Sequence, residues 1–160
     1  MAKKVKIKKT LVEQILSKAG IPHQGIQINA LEGELPQGYE RDQIFKTLAL
    51  LGDKTGPIIG IVPITQHLSE KKLAKISGNK KVSMIPQKDL EKTTGYIHGA
   101  NNPVGIRQKH NYPIFIDKIA LDLDQMIVSA GEVGHSIIVS PQVLASFVKA
   151  DFADILEDSK

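Results

Sequence analysis

The chain has no cysteine, no tryptophan and few aromatic residues, three Tyr and four Phe among 160 residues. Without cysteine there is no disulfide, no thiolate metal site and no cysteine nucleophile. With so few rings, the core must be built from Ile, Leu and Val. No apolar run approaches the ~20 residues a helix needs to span a bilayer. The lysine-rich start, Lys3, Lys4, Lys6, Lys8 and Lys9, lacks the apolar stretch that would make it a signal peptide. The histidines His23, His67, His98, His110 and His135 form no His-x-His or His-x-x-x-His pair, and no Gly-x-Ser-x-Gly elbow is present. These absences lead us to expect a soluble, cytoplasmic protein with no membrane partner, no metal and no cofactor.

What remains suits one compact α+β domain over residues 1–160, opened by a basic segment at 1–9. The net charge of +4 is unevenly spread. Residues 70–110 hold nine Lys or Arg against three Asp or Glu, whereas Asp151, Asp154, Glu157 and Asp158 make the tail acidic. Thr10-Leu11-Val12-Glu13 reads as a capping box opening a helix with Val12, Ile15, Leu16 and Ala19 on one face, closed by Gly20. An alternating stretch follows at 25–28, then polar loop over 31–43 with a short helical turn. Ile44–Leu51 reads as an apolar strand, turning at 52–56 to pair antiparallel with 58–62. Ser69 caps a short helix stopped by Gly78; Val82–Ile85 is a strand, and Pro86 opens a helix ending before Thr93. Strands are expected at 113–116, 126–129 and 136–139. Ser140-Pro141 then opens a helix carrying Val143, Leu144, Phe147 and Val148. This mixture predicts a curved, mixed, barrel-like sheet flanked by short helices.

Two segments carry most of the chemical signal. Thr94–Gly105 packs three glycines, a proline, two asparagines and a histidine into twelve residues, which reads as loop and not as helix or strand. Such a loop can aim backbone N–H groups at a phosphate, a carbonyl oxygen or an oxyanion, although the same composition also makes ordinary turns. The second is Lys46. Strand alternation puts it on a face with Ile44, Leu48 and Leu50, while Phe45, Thr47 and Ala49 face the other way. An ammonium among such neighbours must reach water, a carboxylate or an anionic ligand, and snorkelling off a strand edge is one way to do so.

The order Ile44-Phe45-Lys46-Thr47-Leu48, then Thr94-Gly95-Tyr96-x-x-Gly99-x-x-x-Pro103-x-Gly105, then Ile127-Val128-Ser129-Ala130-Gly131-x-x-Gly134, then Ser140-Pro141-Gln142-x-Leu144, resembles the YbaK/EbsC group of free-standing aminoacyl-tRNA deacylases. That group is related to the editing domain inserted in bacterial prolyl-tRNA synthetases. The resemblance covers nearly the whole chain. It implies that Lys46 is the essential lysine, holding the terminal adenosine or the aminoacyl ester, and that Gly99 helps receive the ester oxygen. Thr47, Tyr96, Asn102, Pro103, Ser129 and Gly131 are implied as substrate-binding residues. Ala100 and Asn102 replace the Gly and Ser of the group's frequent Gly-Gly-x-Ser-Pro version, and alanine tolerates fewer backbone conformations than glycine. Ile28 stands where cysteine-specific members often carry Tyr.

The resemblance further implies an enzyme acting in trans on aminoacyl-tRNA, releasing cysteine from tRNA(Pro), with prolyl-tRNA synthetase as a further partner. The substrate thiol would attack its own ester carbonyl, so the protein needs no nucleophile of its own. An alanyl-tRNA(Pro) hydrolase using water, or a tRNA-binding regulatory module without turnover, are the alternatives. If RNA binds the basic region of 70–110, affinity will fall steeply with salt through counterion release. Charge reversal at Lys80 and Lys81 will weaken binding without changing the rate at saturation. Filter binding across a salt series tests this; salt-insensitive affinity contradicts it.

Overall fold

The computed structural model describes residues 9–32 and 34–158, so the basic N-terminal segment lies outside the described residues except for Lys9. Helix α1 spans Leu11–Lys18. The expected capping box is present: Thr10 Oγ1 accepts from the Glu13 N–H at 3.2 Å, and the Glu13 carboxylate accepts from the Thr10 N–H at 3.2 Å. Strand β1 covers Gln24–Ile26, one residue short of including Gln27 and two short of Ile28. Two single 3-10 turns, Ala30–Glu32 and Arg41–Gln43, occupy the polar stretch. Then come β2 (Phe45–Gly52), β3 (Gly56–Pro63), α2 (Glu70–Ser77), β4 (Val82–Met84) and α3 (Gln87–Thr94). The chain continues through α4 (Pro103–Lys109), β5 (Ile114–Asp117), a 3-10 turn at Lys118–Asp122, β6 (Met126–Ser129), β7 (Ser136–Val139), α5 (Pro141–Val148) and β8 (Asp151–Ala153). No described helix is long and apolar enough to cross a membrane.

The strands form two sheets, β1-β7-β6 and β4-β2-β3-β5-β8, the second mixed because β3-β5 and β5-β8 run parallel. An isolated parallel bridge, Ile44 to Ile127, joins the start of β2 to β6. The two sheets therefore curve into one another at that corner, as the barrel-like expectation required, but they do not close. β2 alternates as its sequence predicts. Phe45 and Ala49 enter the main core with Ile59, Ile61, Val104 and Val128, while Leu48 and Leu50 pack into a second cluster with Val62 and Leu73. The core is aliphatic, with Phe45 its one fully buried ring among the described residues.

Besides the shift of β1 and the unforeseen 3-10 turn at Lys118–Asp122, α4 and β8 depart from the sequence reading. Pro103–Lys109 is helical, although the composition of Thr94–Gly105 predicts loop throughout. Asn102 caps it, its side-chain oxygen accepting from the Gly105 N–H at 2.6 Å, and Pro103 supplies the first helical residue. This is the same cap-then-proline signal that Ser140-Pro141 gives, hidden here by the glycine two positions on. Gly105 is required by packing and not by flexibility: a Cβ there would collide with the Tyr96 phenol. Strand β8 has no counterpart in the sequence reading, because three residues of the acidic tail carry no readable alternation.

The β2–β3 hairpin is locked to the α2–β4 connection by two side chains. Asn79, buried, accepts from the N–H groups of Lys54 (2.8 Å) and Thr55 (3.0 Å) and donates to the hydroxyls of Thr55 and Ser77. Asp53 reciprocates by accepting from the N–H groups of Lys80 and Lys81. Replacing Asn79 by alanine removes these hydrogen bonds, each worth about 0.5–1.5 kcal/mol net, and should cost about 1–3 kcal/mol. Chemical denaturation of Asn79→Ala measures it; a loss below about 0.5 kcal/mol contradicts the latch.

Candidate active site

Because β3 runs the full length of β2, both β6 and β4 must use the opposite edge of that strand. β6 meets it at Ile44, and β4 meets it only at residues 50–52, with one more hydrogen bond from the Ile85 N–H to the Ala49 carbonyl. Between these contacts the two strands diverge and leave the edge around Lys46–Leu48 open. A cleft of about 640 Å³ fills that gap. Its walls are Lys46–Ala49, the end of β4 with the start of α3, the turn at His98–Gly99, and Val133 from the β6–β7 connection.

Lys46 is half-buried at the rim, and burial pulls its ammonium below the usual lysine range. Among the described residues it makes no ion pair. Thr47 lies on the other face of β2 and is only 7% exposed, yet its hydroxyl has no hydrogen-bond partner among the described residues. An unpaired buried hydroxyl costs about 1–3 kcal/mol, and the residue that carries this one is part of the cleft lining.

The third component comes from the glycine-rich segment. The Ala100 N–H bonds to the Ile97 carbonyl at 3.0 Å, making residues 97–100 a tight turn with His98 and Gly99 at its centre. Gly99 has φ of 89°, the left-handed value that the third position of such a turn demands. The central N–H groups of a turn stay outside its own hydrogen bond, and the Gly99 N–H has no partner among the described residues. Its carbonyl is held from behind by the Ser129 hydroxyl, which donates at 3.4 Å and accepts from the Gly131 N–H at 3.2 Å. Thr94, fully buried, ties both ends of the segment together by accepting from the Tyr96 N–H (3.1 Å) and donating to the Asn101 side chain (2.8 Å).

The sequence-derived candidates thus divide by place. Lys46, Thr47 and Gly99 line the cleft. Ser129 sits one bond behind Gly99. Tyr96, Asn102, Pro103 and Gly131 do not line it; they frame the turn. The Tyr96 ring packs over Gly105 and near Gly131, with the Lys109 ammonium 4.5 Å from its centroid. Asn102 is fully buried, its amide donating to the Ala100 carbonyl at 3.1 Å. Serine and asparagine are both good helix caps, which accounts for Asn102. Ala100 has no positive φ and is buried, so alanine fits without strain. Ile28 falls past β1 and packs with Ile44 and Ile127. Sequence reasoning does not find Asn29, Glu32, Gln87 or Val133, which reach the cleft from segments that carry no motif, and it does not single out Asn101 within the glycine-rich segment. Of the basic region, Lys72 is committed to the acidic tail, pairing with Asp154 (3.2 Å) and Asp158 (2.8 Å).

The electrostatics of Lys46 give a test in the absence of substrate. Its folded-state pKa lies below its unfolded value, so the charged form penalises the fold at neutral pH. That penalty is full below the folded pKa and disappears as pH rises through the unfolded value, about 10.4. Lys46→Met, which keeps the aliphatic stem, should melt at or above wild type at pH 7, with the gap closing above pH 10. A lower Tm at pH 7 contradicts this.

Comparisons with known proteins place the chain in a family. Residues 33–147 match the model of the aminoacyl-tRNA editing domain. A protein of Enterococcus faecalis named "Putative Cys-tRNA(Pro)/Cys-tRNA(Cys) deacylase EbsC" is 38% identical over 97% of this chain and 98% of its own. The fold is shared with the crystal structure of "a putative trans-editing enzyme for prolyl tRNA synthetase", at TM-score 0.79 and 23% identity over 92% of this chain and 95% of that one. It is shared too with the crystal structure of a hypothetical protein, at TM-score 0.81 and 22% identity over 91% and 99%. The chain therefore belongs to the aminoacyl-tRNA editing domain family and is an aminoacyl-tRNA deacylase.

Proposed function

We propose that this deacylase releases cysteine from tRNA(Pro), using the thiol of the substrate as nucleophile. The observation that carries the reading is the make-up of the cleft. Among the described residues it offers an ammonium without an ion pair, a buried hydroxyl without a hydrogen-bond partner and a glycine N–H without one, but no serine or cysteine in its lining. Such a site can bind and polarise an ester without attacking it. The name of the Enterococcus relative supports cysteine on tRNA(Pro) or tRNA(Cys) as the charged species.

In the step envisaged, Lys46 holds the terminal nucleotide or the ester by its charge. Thr47 donates to a polar group of the same moiety, and the Gly99 N–H receives the carbonyl oxygen as it becomes tetrahedral. The cysteinyl sulfur forms a C–S bond to that carbon, the C–O bond to the ribose breaks, and the tRNA leaves with a free hydroxyl while cysteine departs as a cyclic thiolactone. Confinement of the aminoacyl group supplies the attack geometry, a contribution worth several kcal/mol in oriented intramolecular reactions. Prolyl-tRNA synthetase is the partner we propose to deliver the tRNA, a role suggested by the structural neighbour described as a trans-editing enzyme for that synthetase.

Lys46→Ala should abolish single-turnover deacylation while its circular dichroism stays native. Lys46→Arg should also fail, since a planar guanidinium cannot take the place of a compact ammonium in a narrow rim. A rate near wild type for Lys46→Ala would end the assignment.

Seryl-tRNA(Pro), almost the same size as the cysteinyl substrate, should be processed far more slowly, because a hydroxyl is much less ionised than a thiol and a poorer nucleophile. Chelators should leave the rate unchanged. Equal rates on cysteinyl and seryl or alanyl substrates contradict the thiol mechanism and point to an activated water.

A further inference from the structure

The thiol step leaves a proton to be moved, and the turn that carries Gly99 also carries an imidazole. We propose that His98 is the general base and acid of this cleft: it takes the proton from the substrate thiol and returns it to the departing ribose oxygen. This rests on the deacylase reading above and adds a residue that the reading itself does not require.

The placement supports it. His98 lines the cleft as the second residue of the 97–100 turn, immediately before Gly99, the residue proposed above to receive the ester oxygen. His98 is solvent-exposed, and neither of its ring nitrogens has a hydrogen-bond partner among the described residues, so both are free to exchange a proton; the His23 ring, by contrast, is engaged with the Ile21 carbonyl at 2.8 Å. The turn is not a loose tip. The Ser129 hydroxyl fixes the Gly99 carbonyl, and Thr94 with Asn101 closes the segment behind it. An imidazole and an oxyanion donor on adjacent residues of a braced turn can act together on one tetrahedral centre.

The alternatives for proton transfer are few. The charged or titratable groups facing the cleft from other elements are Lys46 on β2 and Glu32 on the first 3-10 turn. The α3 helix contributes Gln87 and Leu90, the end of β4 contributes Met84 and Ile85, and the β6–β7 connection contributes Val133, none of which titrates. Histidine is the side chain that ordinarily exchanges a proton between pH 5 and 8, where a thiol needs help to ionise. The atoms balance. The thiol proton passes to a neutral imidazole nitrogen, the C–S bond forms, the C–O bond breaks, and the imidazolium gives the same proton to the ribose oxygen, leaving His98 neutral.

The test is the pH dependence of single-turnover deacylation of cysteinyl-tRNA(Pro) by wild type, His98→Gln and His98→Ala. General-base loss should lower the rate at pH 7 by about 100-fold or more. The deficit should shrink as pH rises and the substrate thiol ionises by itself. Added imidazole should restore part of the rate to His98→Ala but not to Lys46→Ala. A His98→Gln profile parallel to wild type at every pH, or within about 3-fold of it at pH 7, overturns the proposal. So does an absence of imidazole rescue in a His98→Ala protein that still binds a non-hydrolysable cysteinyl-adenosine amide. Failure of the underlying reading looks different: the wild type itself would then treat cysteinyl and seryl substrates alike, whatever residue stands at position 98.

Discussion

A strand edge that two neighbours share but neither covers is the constraint on which the site depends. Backbone N–H and C=O groups of a β-strand need partners, and open edges are normally covered, twisted or charged. Here β3 occupies one edge of β2 completely, while β6 and β4 take the two ends of the other and splay apart. The exposed middle is where Lys46 and Thr47 lie. A charged lysine at this point guards the edge against another strand, and in the function we propose it also supplies the cation for the substrate. The same geometry puts the lysine on one face of β2 and the threonine on the other, both at the cleft, which a fully paired strand would not permit.

Around that gap, rigidity is built from behind. The glycine turn owes its position to residues that face away from the cleft: Ser129 and Thr94 by hydrogen bonds, Tyr96 by packing on Gly105, Asn102 by capping α4. On the opposite side, Asn79 and Asp53 hold the β2–β3 hairpin to β4 and so fix how far β4 can diverge. The protein thus keeps a few polar groups in the cleft unsatisfied while satisfying the polar groups that position them, the arrangement expected of a site preorganised for a ligand.

Much of this is legible in the sequence, for identifiable reasons. The alternation of Phe45 to Leu50 defines the strand and its two faces, and Thr10, Ser69 and Ser140 announce helices through their caps. Fewer features mark α4, because Pro103 and Gly105 read as breakers when one is a first-turn residue and the other a packing necessity. The site is legible as a set of residues but not as a geometry. Lys46, Thr47 and Gly99 meet in the cleft, whereas Tyr96, Asn102, Pro103 and Gly131 serve the loop's frame, a distinction that depends on which way a turn faces. Glu32, Gln87 and Val133 reach the cleft through tertiary packing alone, and no local pattern points to them. The basic stretch at 70–110 likewise overstates its free charge, since Lys72 is bound to Asp154 and Asp158 from the other end of the chain.

The central claim is that one cleft at the open edge of β2 holds the aminoacyl end of the substrate. Titration of isotopically labelled protein with a non-hydrolysable cysteinyl-adenosine amide, followed by the amide resonances of Thr47 and Gly99 and the side-chain ammonium resonance of Lys46, tests it most directly. Binding in the cleft predicts saturable shifts at all three with a common dissociation constant, and an upward movement of the Lys46 pKa as its charge meets a polar group of the ligand. Shifts confined to residues outside the cleft, with Thr47, Gly99 and Lys46 unmoved at saturation, would contradict it.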